Sequence, residues 1–378
     1  MNEMGLRHYR FSTSWSRVCP AGDASVNQAG LDFYDRLVDC LLEHKIEPWV
    51  TLFHWDLPMA LEEKGGWTQR GVVEAFQLYA EALVGKIGDR VSHWFTINEY
   101  ICFIELGYQH GAHAPFRRES RKVMNAAWHH GLLVHGTGVK VIRDLARSDS
   151  KVGLAANVQV IAPAIENEAN IKAGREHFDE LNGRQLQPIL KGCYPPGFLE
   201  GEGPSAPEIQ EGDMELIGQP IDFLGYNLYG AGFHRSGPEG KSQHLPFGSE
   251  FPKDQLNPLT PQALYWTLRF TDELYGRQKY VISENGAAYS AGPDDKGEVL
   301  DLERIQYLRT HLKELHYTIA CGHEVEGYFY WSFMDNFEWA FGYEPRFGLV
   351  HVDFKTLKRT KKYSADYYRQ VMEQNRVL

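Results

Sequence analysis

Lys279-Tyr280-Val281-Ile282-Ser283-Glu284-Asn285-Gly286 sets an apolar, β-rich run directly against a glutamate, an asparagine and a glycine. A run apolar on successive residues suits a strand covered on both faces. An unpaired carboxylate under that cover would cost several kcal/mol, so Glu284 is expected at the mouth of the strand. Ile97-Asn98-Glu99 ends another such run in the same way. The two glutamates are far apart in the chain, and only a sheet that closes on itself would bring them together.

Working outward, seven β-rich runs stand out, at 7–15, 47–55, 93–100, 151–158, 221–229, 279–286 and 325–335. Helical periodicity fills the gaps. Leu31, Tyr34, Leu37, Val38, Leu41 and Leu42 fall on one face of one helix, and Val73, Phe76, Leu83 and Ile87 on one face of the next. Strands alternating with helices indicate parallel βαβ units with right-handed crossovers. No G-x-G-x-x-G turn follows the first strand and no P-loop occurs, which favours a (β/α) barrel with its function at the carboxyl ends of the strands over a doubly wound sheet. The Gly- and Pro-rich stretches 192–220 and 230–261 read as long irregular loops, and residues 1–378 as a single domain.

The 378 residues are 43% hydrophobic and 24% charged, enough for a large core, and carry a formal net charge of -11. That balance argues against a nucleic-acid partner, which needs a clustered basic surface. Cys19, Cys40, Cys102, Cys193 and Cys321 are widely spaced and odd in number, the pattern of reduced thiols in a cytoplasmic protein, and no Cys/His set has metal-ligand spacing. No apolar run has the length of a membrane span.

Two carboxylates about 5 to 5.5 Å apart would suit double displacement at a sugar carbon: one attacks while the other protonates the leaving oxygen. Other strand ends carry what a sugar requires, aromatic faces for its C–H surfaces and amide or carboxylate partners for its hydroxyls. These are His54-Trp55-Asp56, Asn227-Leu228-Tyr229 and the stretch 331–339, WSFMDNFEW. Each has a blander reading. Trp15 suits core packing, His54 a satisfied core histidine, and Arg10 a surface arginine. Glu338 between Phe337 and Trp339 is harder to assign to packing.

Five segments together resemble glycoside hydrolase family one, the β-glucosidase and β-galactosidase family: YRFSTSWSRVCP at 9–20, TLFHWDLP at 51–58, TINEY at 96–100, ISENG at 282–286 and YFYWSFMDNFEWAFGYEPRFGLVHVD at 328–353. The resemblance implies a retaining exo-β-glycosidase without metal or cofactor, acting on a small β-glucoside or oligosaccharide. Glu284 would be the nucleophile and Glu99 the acid/base. Arg10 and Tyr229 would hold Glu284 ionised and oriented, Asn98 would bind the sugar 2-hydroxyl, His54, Asn227, Glu338 and Trp339 other hydroxyls, and Trp331 would floor the ring.

The chain departs from the family pattern in two places. Tyr100 and Ile101 follow Glu99 where the family usually has proline and often tryptophan, so no pyrrolidine fixes that backbone. The family's N-terminal segment, with a first strand, a helix and a glycone-binding glutamine, also has no counterpart. The expectation is an N-terminally truncated member, a (β/α)8 barrel lacking its first strand and helix, open at one edge and prone to form a homo-oligomer there. A weak or inactive sugar-binding remnant is the alternative function. A 6-phospho-β-glycosidase is disfavoured, because Glu338 would repel a phosphate.

Overall fold

The computed structural model describes residues 1–378. All seven expected strands form: β1 (His8–Ser12), β2 (Glu47–Phe53), β3 (His93–Asn98), β4 (Lys151–Ala156), β5 (Phe223–Asn227), β6 (Lys279–Asn285) and β7 (Glu324–Tyr330). Between them run helices that include α1 (Gln28–Glu43), α2 (Gly71–Ile87), α3 (Arg121–Leu145), α4 (Ala263–Tyr275) and α5 (Leu302–Ala320). The chain divides into two compact units, each built from separate segments: Arg7–Asn157 with Asn182–Tyr226, and Met1–Leu6 with Val158–Leu181 and Asn227–Leu378.

In the first unit β1 to β5 pair in parallel in sequence order, with Arg10 level with Trp49, Val50 with Trp94 and Leu154 with Leu224. The last six residues of β2 are buried, as its unbroken apolar run requires. The apolar stripe of α1 buries Leu31, Tyr34, Val38 and Leu41 and leaves Leu37 and Leu42 half-buried. On α2 the buried face is centred on Val72, Phe76, Tyr79, Leu83 and Ile87, and Val73 sits at its margin. Trp15 is fully buried, its ring 5.4 Å from Tyr79, 5.5 Å from Phe76 and 6.1 Å from Phe53, so the packing reading of this tryptophan holds.

The long helix α3 begins at Ser120, whose hydroxyl accepts from Val123 N, and is buried along most of its length. Gly136 lets it approach the segment at Leu216 so closely that a Cβ would lie 1.9 Å from that residue's carbonyl oxygen.

The second unit carries β6 and β7, paired in parallel with two irregularities in register. It also holds a small three-stranded sheet of Ile161–Pro163, Gly232–Ser236 and Ser242–Leu245. The stretch 230–261 is therefore not an irregular loop throughout. Two of those strands lie in it, joined by the turn at Pro238–Gly240. The stretch 192–220 likewise contains the short helices Pro196–Glu202 and Asp213–Ile217. All five cysteines are free thiols, and no helix is long and apolar enough to cross a membrane.

Candidate active site

The expected site residues gather within each unit at the carboxyl ends of strands. In the first unit, Arg10 on β1 donates from Nε to Thr51 Oγ1 on β2 at 3.2 Å and from Nη2 to Asn98 Oδ1 on β3 at 2.5 Å. Its guanidinium lies 4.9 Å from the centre of the Phe95 ring. Thr51 and Asn98 lie on the next two parallel strands within its reach, so Arg10 is a half-buried, partnered strand residue. Asn98 is fully buried. Its amide nitrogen faces His54 Nε2 at 3.3 Å, and its carbonyl accepts from Trp55 Nε1 at 2.9 Å. Burial first, then the charge of Arg10, holds the His54 imidazole well below its ordinary pKa, so it is neutral at mid-range pH and able to accept from Asn98.

Glu99 follows directly and is 7% exposed. Its backbone nitrogen donates to Ala155 O at 2.8 Å, and its φ of 51° lies in the left-handed region. Trp55 at the neighbouring strand end has φ 85°. Non-glycine residues in sparsely populated backbone regions cost roughly 1–3 kcal/mol each and tend to cluster where function fixes a side chain's direction. Oε2 of Glu99 accepts a hydrogen bond from Cys102 Sγ at 3.0 Å. Asp56 accepts from the Ser14 hydroxyl, and its burial pushes the carboxyl up to about 6.

In the second unit, Glu284 at the end of β6 is 4% exposed and accepts from Tyr229 OH through Oε2 at 2.7 Å, while its carbonyl accepts from Leu228 N at 2.9 Å. The flanking residues are fixed in turn. Ser283 donates to Asn227 Oδ1 at 2.6 Å, and Asn285 donates to Tyr307 OH at 2.9 Å and accepts from Tyr328 OH at 2.7 Å.

Beyond β7, Trp331, Glu338 and Trp339 lie on a loop tied down by buried ions. Asp335 accepts from Lys362 Nζ at 2.8 Å, Arg346 Nη1 at 3.1 Å and Gly348 N at 3.0 Å. Arg304 of α5, fully buried, pairs with Asp301 at 2.8 Å and donates to Tyr330 OH at 2.7 Å and to the carbonyls of Arg346 at 2.7 Å and Phe347 at 2.9 Å. Glu338 accepts from Asn336 Nδ2 at 3.1 Å. Burial, with the nearby charge of Glu284 as a lesser cause, pushes its carboxyl up to about 7.

Sequence reasoning named these strand-end candidates, included Asp56 and Asp335 only as members of strand-end clusters, and gave no role to Thr51, Arg304 or Cys102. The first and third of these were signalled only by their neighbours in space. Asp56 stood in plain view after His54 and Trp55.

The pattern described as glycosyl hydrolase family 1 matches residues 1–377. The chain is 40% identical to beta-glucosidase A of Acetivibrio thermocellus, over 99% of this chain and 85% of that one. It is 39% identical to the 1,4-beta-D-glucan glucohydrolase of Thermotoga neapolitana, over 99% and 84% respectively. Among solved structures, the beta-glucosidase from Thermotoga maritima in complex with glucoimidazole superposes with a TM-score of 0.90 at 39% identity, covering 99% of this chain and 84% of that one. The seven parallel strands are accordingly those of the family's (β/α) barrel fold, and the chain belongs to glycosyl hydrolase family 1.

Proposed function

We propose that this chain is a β-glucosidase that removes terminal, non-reducing β-D-glucosyl residues, and related β-D-galactosyl residues, with retention of configuration. The observation that carries the reading is the nearly solvent-free carboxylate of Glu284, held by the Tyr229 hydroxyl at 2.7 Å, in a chain of this family. Residues 1–378 act as one catalytic domain. In the first step a Glu284 oxygen attacks the anomeric carbon, the bond from that carbon to the leaving oxygen breaks, and Glu99 gives its proton to that oxygen. In the second step Glu99 takes a proton from water as the water oxygen attacks the anomeric carbon. The glycosyl–Glu284 bond breaks as that oxygen bonds to the carbon, which restores the Glu284 carboxylate.

Asn98, held by Arg10, would meet the sugar 2-hydroxyl. His54, Asn227, Glu338 and Trp339 would meet other hydroxyls, with Trp331 beneath the ring. The free thiols support a reducing, cytoplasmic setting. A catalytically weak sugar-binding remnant is not favoured, because relatives about 40% identical over nearly the whole chain are named as glucosidases and glucohydrolases. The test is burst release of a nitrophenol from an aryl β-glucoside, with the first sugar product followed by NMR. The β-anomer should appear first and E284Q should abolish the burst; the α-anomer appearing first would rule out double displacement.

A further inference from the structure

The thiol of Cys102 lies 3.0 Å from Glu99 Oε2, a contact the family resemblance does not account for. It is built from several directions. The π-helix Ile101–Gln109 begins directly after Tyr100, and Cys102 N donates to Glu99 O at 3.2 Å, so the backbone folds the third residue back over the carboxylate. The Cys102 carbonyl accepts from His113 Nδ1 at 3.1 Å, and the His113 ring packs 5.4 Å from Trp55. Asn157, beyond the end of β4, donates from Nδ2 to Cys102 Sγ at 3.5 Å. A sulfur that accepts on one side directs its own proton to the other, toward Oε2.

Resting on the assignment of Glu99 as acid/base, we infer that Cys102 is a positioning residue: its S–H holds Oε2 as an acceptor and so confines the transferable proton of Glu99 to Oε1. A protonated carboxyl carries one proton, and an oxygen that is accepting a hydrogen bond is the poorer place for it. A thiol is a weak donor. It sets this preference without holding the carboxyl in its ionised form as strongly as a hydroxyl or amide would, which matters for a group that must arrive protonated. The same contact supplies what proline would otherwise give. With Tyr100 and Ile101 following Glu99, side-chain contact as well as backbone holds the turn. The other ionisable groups around it in this unit are Arg10 and His54, reached through Asn98, and His113, reached through the Cys102 carbonyl. Burial lowers both histidines, so neither brings a competing cation at neutral pH.

The experiment compares wild type, C102A, C102S and C102V on two aryl β-glucosides, one with a good leaving group that needs no protonation and one with a poor one. With the thiol donor gone, the alkaline limb of kcat/KM should move up by about half a pH unit, because a donor favours the ionised form. Turnover of the poor-leaving-group substrate should fall about three- to tenfold while that of the activated one hardly changes. C102S restores a donor, and a stronger one, so it should bring the leaving-group dependence back toward wild type and place the alkaline limb at or below the wild-type position, opposite in direction to C102A. C102V fills the volume without a donor and should behave as C102A, which separates the hydrogen bond from packing. If C102A and C102V keep the wild-type limb and leaving-group dependence, the inference is wrong. E99A is the control for the parent reading. Full activity of E99A on the poor-leaving-group substrate would remove the acid/base assignment itself, whereas an E99A defect rescued by azide on the activated substrate leaves that assignment standing whatever the cysteine variants do.

Discussion

Glu284 lies under 5% exposed with one phenol aimed at one of its oxygens, and that hydroxyl is a charge-assisted donor when the carboxylate is ionised. Y229F should therefore lower kcat/KM by about 10- to 100-fold, the loss of a hydrogen bond of about 1.5–3 kcal/mol to a charged group, while leaving the melting temperature nearly unchanged. Steady-state kinetics beside a thermal melt checks this. Glu338 is a different case, because its carboxyl is pushed up to about 7 and changes charge in the working range. E338Q should cost about 1–3 kcal/mol of transition-state binding for glucosides, read as kcat/KM, and should narrow the discrimination against 6-phosphorylated glucosides by removing the charge that repels them. Tighter calorimetric binding of a 6-phosphoglucoside to the wild type would contradict that assignment. At this scale the sequence was most informative where chemistry and position coincide, as at Asn98, Glu99 and Glu284. It was silent where a role depends on a partner elsewhere in the chain: nothing near Thr51 announces Arg10, and nothing near Cys102 announces Asn157.

Each element was legible in proportion to its apolar continuity. β2 to β6 are runs such as Val50-Thr51-Leu52-Phe53, buried nearly throughout and ending at the polar residues that mark their mouths, whereas β1 and β7 are only half-buried along most of their length. The small sheet escaped notice because its strands are three to five residues long. They carry Gly232, His234, Ser236, Ser242, Gln243 and His244 between Gly- and Pro-rich turns, so neither alternation nor hydrophobicity develops. The helices of 192–220 were hidden in the same way by Pro195, Pro196 and Gly197. Packing between elements left a clearer trace at Gly136. With the Leu216 carbonyl 1.9 Å from where a Cβ would sit, and backbone unable to swing aside as a side chain can, G136A should destabilise the protein by about 1–3 kcal/mol. A fall of several degrees in melting temperature, with KM little changed, is the expected result.

For the molecule as a whole, buried carboxyls make stability depend on pH. Asp56 has a folded-state pKa of about 6 against an unfolded value of about 3.9, so the folded protein holds this proton more tightly. The stabilisation is complete below about pH 4, is lost as pH rises to about 6, and stays lost above it. Wild type should therefore lose about 2 kcal/mol relative to D56N between pH 4 and pH 7, by urea titration at each pH, with the other titrating groups cancelling in the difference. The seven parallel strands and the helices between them were recoverable from the rhythm of apolar runs, while the small sheet and the short helices of 192–220 were not. The division into two compact units was not, since it depends on contacts between distant segments. That division bears on synthesis. One unit needs Asn182–Tyr226 to join Arg7–Asn157, and the other unites Met1–Leu6 with segments that begin at Val158. A ribosome delivering the chain from its N-terminus thus releases β1 to β4 well before β5, the partner of β4, has been made. Asn2–Met4 wait longer still, for the helix Tyr363–Gln374 on which they pack. Until β5 is made, nascent intermediates carry β4 with one edge unpaired, which makes this a chain whose yield should respond to chaperone supply and to slowed elongation more than its final stability would suggest.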